Sequence, residues 1–69
     1  TARELVAKLL DQLKPGDRMV IQLLDLEQKS IAEISLLTGW SQSLIKVRAF
    51  RARRKLKKLF EELKRKEKS

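Results

Sequence analysis

The chain has 69 residues, with 17 Lys+Arg against 9 Asp+Glu and a formal net charge of +8 at pH 7. A chain this short forms one small domain at most, because it buries only about 60% of the surface that its unfolded form exposes. It has no cysteine and no histidine, which excludes disulfides, thiolate metal sites and the commonest general base. We expect a single domain over residues 1–69 that is not an enzyme and holds no cofactor or metal.

The sequence also contains no recognisable targeting or membrane segment. Its apolar runs fall short of the roughly 20 residues that span a bilayer, and no stretch has the features of a signal peptide. We therefore predict a cytoplasmic protein without a membrane association.

The first predicted helix covers residues 2–13, where apolar residues recur at three- and four-residue spacing. Its buried face would consist of Leu5, Val6, Leu9, Leu10 and Leu13. Pro15 disfavours helical structure at Lys14, and Asp17 can cap the start of a second helix. That helix should end near Leu26 and bury Val20, Leu23 and Leu24, before the polar connector of residues 27–29.

The third and fourth helices have clear capping residues. Ser30 and Glu33 have the spacing of a capping box, and Gly39 suits the left-handed position that ends the third helix. Ser41 can cap a fourth helix that runs almost to the C-terminus. One narrow face of this helix carries the apolar residues Ile45, Ala49, Ala52, Leu56, Leu59 and Leu63. No stretch is typical of a strand, so we predict an all-α domain of four helices.

A short connection containing Gly39 joins the third and fourth helices, which is the spacing of a helix-turn-helix motif. Ser35, four residues before this glycine, supplies a small side chain where the two helices cross. Apolar residues should fill the gap between them, namely Ile34, Trp40 and Ile45. We predict a helix-turn-helix at about residues 30–56, whose long C-terminal recognition helix enters the DNA major groove.

The positive charge is concentrated in the recognition helix. Residues 1–40 hold five basic and six acidic side chains, whereas residues 41–69 hold twelve basic and three acidic, with no acid from Ser41 to Phe60. This asymmetry favours a polyanion bound to one element. The alternative is a basic helix end that is only solvated.

Two apolar residues, Val47 and Phe50, lie on the basic face, opposite the buried one. Apolar side chains can contact the C5-methyl group of thymine in the major groove. Around them, Lys46, Arg51 and Arg54 can reach guanine edges or phosphates. The alternative for Phe50 is that it folds back onto the domain.

Arg48 lies at the edge of the buried face, where two interpretations stay open. Its guanidinium can pair with a carboxylate such as Glu33 or Asp25, or it can contact a DNA phosphate.

The run from Leu13 to Leu56 resembles region 4 of extracytoplasmic-function (ECF) sigma factors, the promoter-recognition subunits of bacterial RNA polymerase. The similarity needs no gap and covers 44 of the 69 residues. Three blocks carry it: Leu13-Lys14-Pro15; Asp25-Leu26-Glu27 followed by Ser30; and Gly39-Trp40-Ser41 with Ile45-Lys46-Val47-Arg48, Arg51-Ala52-Arg53 and Leu56.

This resemblance implies recognition of the −35 promoter element on double-stranded DNA by the fourth helix. The residues facing that element would be Lys46, Val47, Arg48, Phe50 and Arg51, with Ser41, Gln42 and Ser43 at the helix start and Ser30 near the backbone phosphates. In the family, region 4 also docks on the β flap of the RNA polymerase core, and in many members an anti-sigma factor masks it. We expect the isolated domain to be a monomer.

The sequence departs from the family pattern at a few positions. Gln28 stands in place of a usual glycine, Gly16 in place of a usual arginine, and Leu44 in place of a usual small or hydroxyl residue. The family's promoter-melting region 2 has no counterpart here, so these residues are either an excised domain or a stand-alone homologue.

Two other functions compete with this one. The effector domains of LuxR-type regulators also use four helices with a short turn, and they resemble this chain more loosely. A helical protein-interaction module without a DNA role is a third hypothesis, because residues 45–63 have coiled-coil spacing over about three heptads.

Overall fold

The computed structural model describes the backbone of residues 1–68 and the side chains of residues 1–66. Ser69, the last residue of the predicted domain, lies outside them. Residues 1–68 form four α-helices: α1, Ala2–Asp11; α2, Pro15–Ile21; α3, Ile31–Thr38; and α4, Gln42–Lys68. Residues 1–68 contain no strand, which confirms the predicted all-α class. No helix in this part of the chain is long and apolar enough to cross a membrane.

Helix α1 begins with a capping box between Thr1 and Glu4 and ends at Asp11, two residues before the predicted end. Leu10 and Leu13 are buried as predicted, but Val6 keeps 42% of its surface exposed, so its predicted burial is wrong. The reason is that α1 packs mainly through its C-terminal end, where the chain turns towards α2.

Helix α2 begins at Pro15 instead of Asp17, because proline suits the first helical turn and fixes Lys14 in an extended conformation. The predicted capping role of Asp17 is therefore wrong. Beyond Ile21 the chain continues directly into a π-helical segment, Gln22–Leu26, which ends where the second helix was predicted to end. Val20 and Ile21 are buried, whereas Leu23 and Leu24 are half-buried.

The polar connector to α3 contains a non-glycine residue with a positive φ. Gln28 has a φ of 55°, in the left-handed region that most side chains avoid. Gln28 stands where the family that the sequence resembles usually has glycine, a residue that adopts a positive φ without strain. The left-handed conformation costs a non-glycine residue about 1 kcal/mol.

Helix α3 and the following turn have the predicted caps. The Ser30 hydroxyl accepts a hydrogen bond from the Glu33 backbone N–H (3.0 Å), and the Glu33 carboxylate accepts one from the Ser30 backbone N–H (3.1 Å). Gly39 closes α3 with a φ of 78°, and its N–H donates to the Ser35 carbonyl. The predicted capping box and left-handed glycine are both confirmed.

Helix α4 links two buried clusters of the core. Its residues Ala49 and Ile45 pack in one cluster with Val20 and Ile34, and Ala52 packs in the other with Leu10, Leu13 and Ile21. The predicted apolar face of α4 is confirmed, with its first three members buried and Leu56, Leu59 and Leu63 half-buried. Small alanines at the contact allow close approach of α2, the helix that packs most extensively against α4.

Candidate nucleic-acid interface

Helices α3 and α4 form a helix-turn-helix unit. Ile34 and Ile45 are completely buried between them, with Trp40 packed against the same cluster. Ser35 lies on α3 at the turn, where its hydroxyl donates to the Trp40 carbonyl at 2.7 Å. The predicted filling of the gap by these residues is confirmed.

A second hydroxyl also fixes the turn. Thr38 Oγ1 donates to the Ile34 carbonyl at 2.7 Å and accepts from the Trp40 N–H at 3.1 Å. The turn therefore has several hydrogen bonds besides the glycine geometry, and it sets the direction in which α4 leaves α3.

The start of α4 presents small polar side chains to solvent. Ser41 caps the helix as predicted, since its hydroxyl accepts a hydrogen bond from the Leu44 N–H at 3.1 Å. Gln42, Ser43 and Lys46 follow it and are all exposed. These four predicted contact residues thus lie together on the first turns of the recognition helix.

Val47 and Phe50 form an apolar patch on the outward face of α4. Val47 is 56% exposed and Phe50 is 68% exposed. The alternative in which Phe50 folds back onto the domain is therefore wrong. At 100° per residue, both side chains point within about 60° of Arg54 around the helix axis, so an apolar patch and a cation share one surface.

Cations without ion-pair partners surround this patch. Lys46 and Arg54 are exposed and make no salt bridge within residues 1–66. Further along α4, an open depression of about 500 Å³ is lined by Arg51, Arg54, Lys55, Lys57, Lys58 and Glu61. Lys46 and Arg54 are thus available to a polyanion.

Arg51 differs from these cations because it has a carboxylate partner. Its Nε donates to Asp17 Oδ2 at 3.0 Å and its Nη2 donates to Asp17 Oδ1 at 2.8 Å. Asp17 is only 4% exposed. The hydrogen bond from Arg51 lowers the pKa of Asp17 and raises that of Arg51, so both groups are charged at neutral pH. The predicted DNA contact of Arg51 stays a prediction.

Arg48 is half-buried and forms no salt bridge within residues 1–66, although its charge helps to lower the pKa of Asp17. Its guanidinium carbon lies 4.2 Å from the centre of the Trp40 ring, in the range of a cation–π contact. Its Nη1 is buried and has no hydrogen-bond partner in the described part of the chain. A Cβ added to Gly16 would lie 3.1 Å from this guanidinium, so the glycine provides the space that Arg48 occupies.

Arg48 does not form the predicted ion pair with Glu33 or Asp25. Glu33 is used in the α3 capping box, and Asp25 binds Arg53 with Nε to Oδ2 at 3.2 Å and Nη2 to Oδ1 at 2.6 Å. The alternative contact of Arg48 with a phosphate stays a prediction. The sequence did not predict the Asp25–Arg53 ion pair, because the two residues are 28 positions apart.

Ser30, the last of the predicted contact residues, is exposed at the N-terminus of α3. Its hydroxyl accepts the Glu33 hydrogen bond described above, and the O–H remains a donor. This hydroxyl is free to donate a hydrogen bond to a phosphate near the N-terminus of α3, so the predicted phosphate contact of Ser30 is compatible with its role as a cap.

A comparison with models of known protein families identifies the family to which these four helices belong. A family model described as "Sigma-70, region 4" matches residues 3–56. The chain belongs to the sigma-70 region 4 family. No curated protein and no solved structure matches it.

The region 4 match spans α1, α2, α3 and the first half of α4. It includes α1, to which the resemblance drawn from the sequence did not extend. In sigma factors this region is a non-catalytic domain that binds promoter DNA. The match therefore favours a sigma factor over a LuxR-type effector domain or an interaction module without a DNA role.

Proposed function

We propose that this region 4 domain belongs to an ECF sigma factor and binds the −35 promoter element through the N-terminal half of α4. The observation that carries the proposal is the exposure of Val47 and Phe50 on a face with no acidic residue from Ser41 to Phe60. Exposed apolar groups between unpaired cations are suited to a groove that offers both methyl groups and phosphates.

The dimensions of α4 indicate which part of the helix enters the groove. From Gln42 to Arg54 the helix rises by about 18 Å at 1.5 Å per residue, which is comparable with the roughly 12 Å width of the major groove. The contact residues of this half would be Ser41, Gln42, Ser43, Lys46, Val47, Phe50, Arg51 and Arg54. Residues beyond Arg54 would extend past the groove towards flanking phosphates.

Two other predicted contacts have a narrower role in this proposal. The Ser30 hydroxyl donates a hydrogen bond to a phosphate of the DNA backbone at the edge of the site. Arg48, which lies between Trp40 and Gly16, contacts a phosphate through the part of its guanidinium that is not buried. The domain is a cytoplasmic monomer whose partners are the β flap of the RNA polymerase core and an anti-sigma factor.

An NMR titration tests the location of the interface. The ¹⁵N-labelled domain is titrated with a duplex that carries a GGAAC-type element, and amide shifts are mapped onto the four helices. We expect the largest shifts in residues 41–54, with a smaller one at Ser30. Shifts confined to residues 55–66 would show that α4 holds phosphates without reading bases, and an unchanged spectrum would contradict the proposal.

A further inference from the structure

We propose that Asp17 is a positioning residue for DNA recognition. It holds one edge of the Arg51 guanidinium so that the other edge is presented to a base. This inference rests on the proposed function, because it requires Arg51 to contact a base pair. It assigns to α2 a part in sequence discrimination, although α2 lies outside the helix-turn-helix.

The hydrogen bonds of the pair leave a defined part of Arg51 free. Asp17 accepts from Nε and from one N–H of Nη2, whereas Nη1 has no hydrogen-bond partner within residues 1–66. The Arg51 side chain is 53% exposed. The Nη1–Nη2 edge therefore retains two parallel N–H groups, which is the arrangement that the O6 and N7 acceptors of guanine require.

Asp17 is well suited to fix this orientation. The Asp17 side chain is only 6% exposed. Asp17 lies on α2, between Pro15 and the buried residues Val20 and Ile21, and α2 packs against α4. An arginine side chain held by two hydrogen bonds loses less conformational freedom when it binds a base. The hydrogen bonds to Asp17 therefore order the Arg51 side chain before DNA binds.

The carboxylate also has an opposite effect on total affinity, because its negative charge repels phosphates. Replacing Asp17 by asparagine should therefore lower sequence discrimination without lowering affinity for arbitrary DNA. A merely structural Asp17 would behave differently, since partial unfolding reduces binding to every duplex by the same factor. The ratio of two affinities measured on one protein sample is independent of the folded fraction.

The chain contains a matched control pair. Arg53 binds Asp25 through the same two nitrogens, Nε and Nη2. Because two residues correspond to 200° around a helix, Arg53 points to the flank of α4 away from Arg51. Asp25→Asn removes the same charge from a pair with the same hydrogen-bond geometry, although the Asp25 side chain is more exposed, at 40% against 6% for Asp17.

The experiment measures fluorescence anisotropy on a GGAAC-type duplex and on duplexes in which each base pair of the element is replaced in turn. The proteins are the parent, Asp17→Asn, Arg51→Ala, the double variant and Asp25→Asn. Circular dichroism melts select a temperature at which all of them are folded. We expect Arg51→Ala to lower discrimination at one base pair by about 5- to 150-fold.

Asp17→Asn should lower discrimination at that same base pair, and the double variant should equal Arg51→Ala, because both changes act through one guanidinium. Asp25→Asn should leave every ratio unchanged. If Arg51→Ala lowers the ratio of affinities for the original and the altered duplex but Asp17→Asn does not, the positioning role of Asp17 is wrong. The base contact of Arg51 would then still stand. If Arg51→Ala changes no ratio, that contact fails in the proposed function, and the inference fails with it.

Discussion

Phe50→Ala offers a direct test of the apolar contact in the groove. A phenylalanine side chain has about 200 Å² of surface, and 68% of Phe50 is exposed, so about 140 Å² is available to DNA. If half of that area is covered on binding, at about 25 cal/mol per Å², the contact contributes about 1.7 kcal/mol. The variant should therefore bind a GGAAC-type duplex about 20-fold more weakly.

The dependence on salt should not change, because Phe50→Ala removes no charge. The already buried third of the side chain limits the loss of folding stability to about 1.5 kcal/mol. Phe60→Ala is the matched control, since Phe60 is 43% exposed on the same helix but beyond the proposed contact residues. The assay is anisotropy at two salt concentrations, with a thermal melt of each variant. Equal binding losses in the two variants, or a melting loss far above that limit, would refute the reasoning.

Three further predictions concern the connector, the buried Asp17 and the second half of α4. Gln28→Gly should raise the melting temperature by a few degrees, because it removes the strain of a φ of 55°; a lower value in a calorimetric scan would contradict this. Arg51 lowers the pKa of Asp17 below its unfolded value of 3.8. The pair therefore stabilises the folded state above that pH and is lost as the pH falls through the lower folded value. Melts from pH 7 to pH 2 should show a larger loss in the parent than in Asp17→Asn, which keeps only the contribution of other carboxylates with a lowered pKa, such as Glu33. Replacing Lys57 and Lys58 by glutamine should flatten the log–log salt dependence of DNA binding by about 0.9 per lost phosphate contact and leave sequence discrimination unaltered; altered discrimination would place these lysines at bases.

Features encoded within a few residues could be predicted from the sequence. The capping box of Ser30, the left-handed Gly39 and the Ser41 cap each depend on partners no more than four positions away. The apolar spacing of α4 was equally informative, since a helix that packs on one side needs that pattern. These local features were sufficient to predict four helices and a helix-turn-helix.

Pairings between distant residues could not be predicted in the same way. Asp17 and Arg51 are 34 positions apart, and a carboxylate just after a proline is equally typical of a helix cap. Arg48 illustrates the same limit, because its position over Trp40 depends on space left by Gly16 in another helix. The glycine was visible as a departure from the family pattern, but its consequence required the packing of α2 against α4.

We propose above that the exposed face of α4 reads DNA sequence. The most direct test of this claim is fluorescence anisotropy of this domain on two duplexes of equal length and composition, one with a GGAAC-type element and one scrambled, at two salt concentrations. We predict a preference for the first duplex that persists at the higher salt, because base contacts depend less on salt than phosphate contacts do. Equal binding to both duplexes that disappears at the higher salt would contradict the claim.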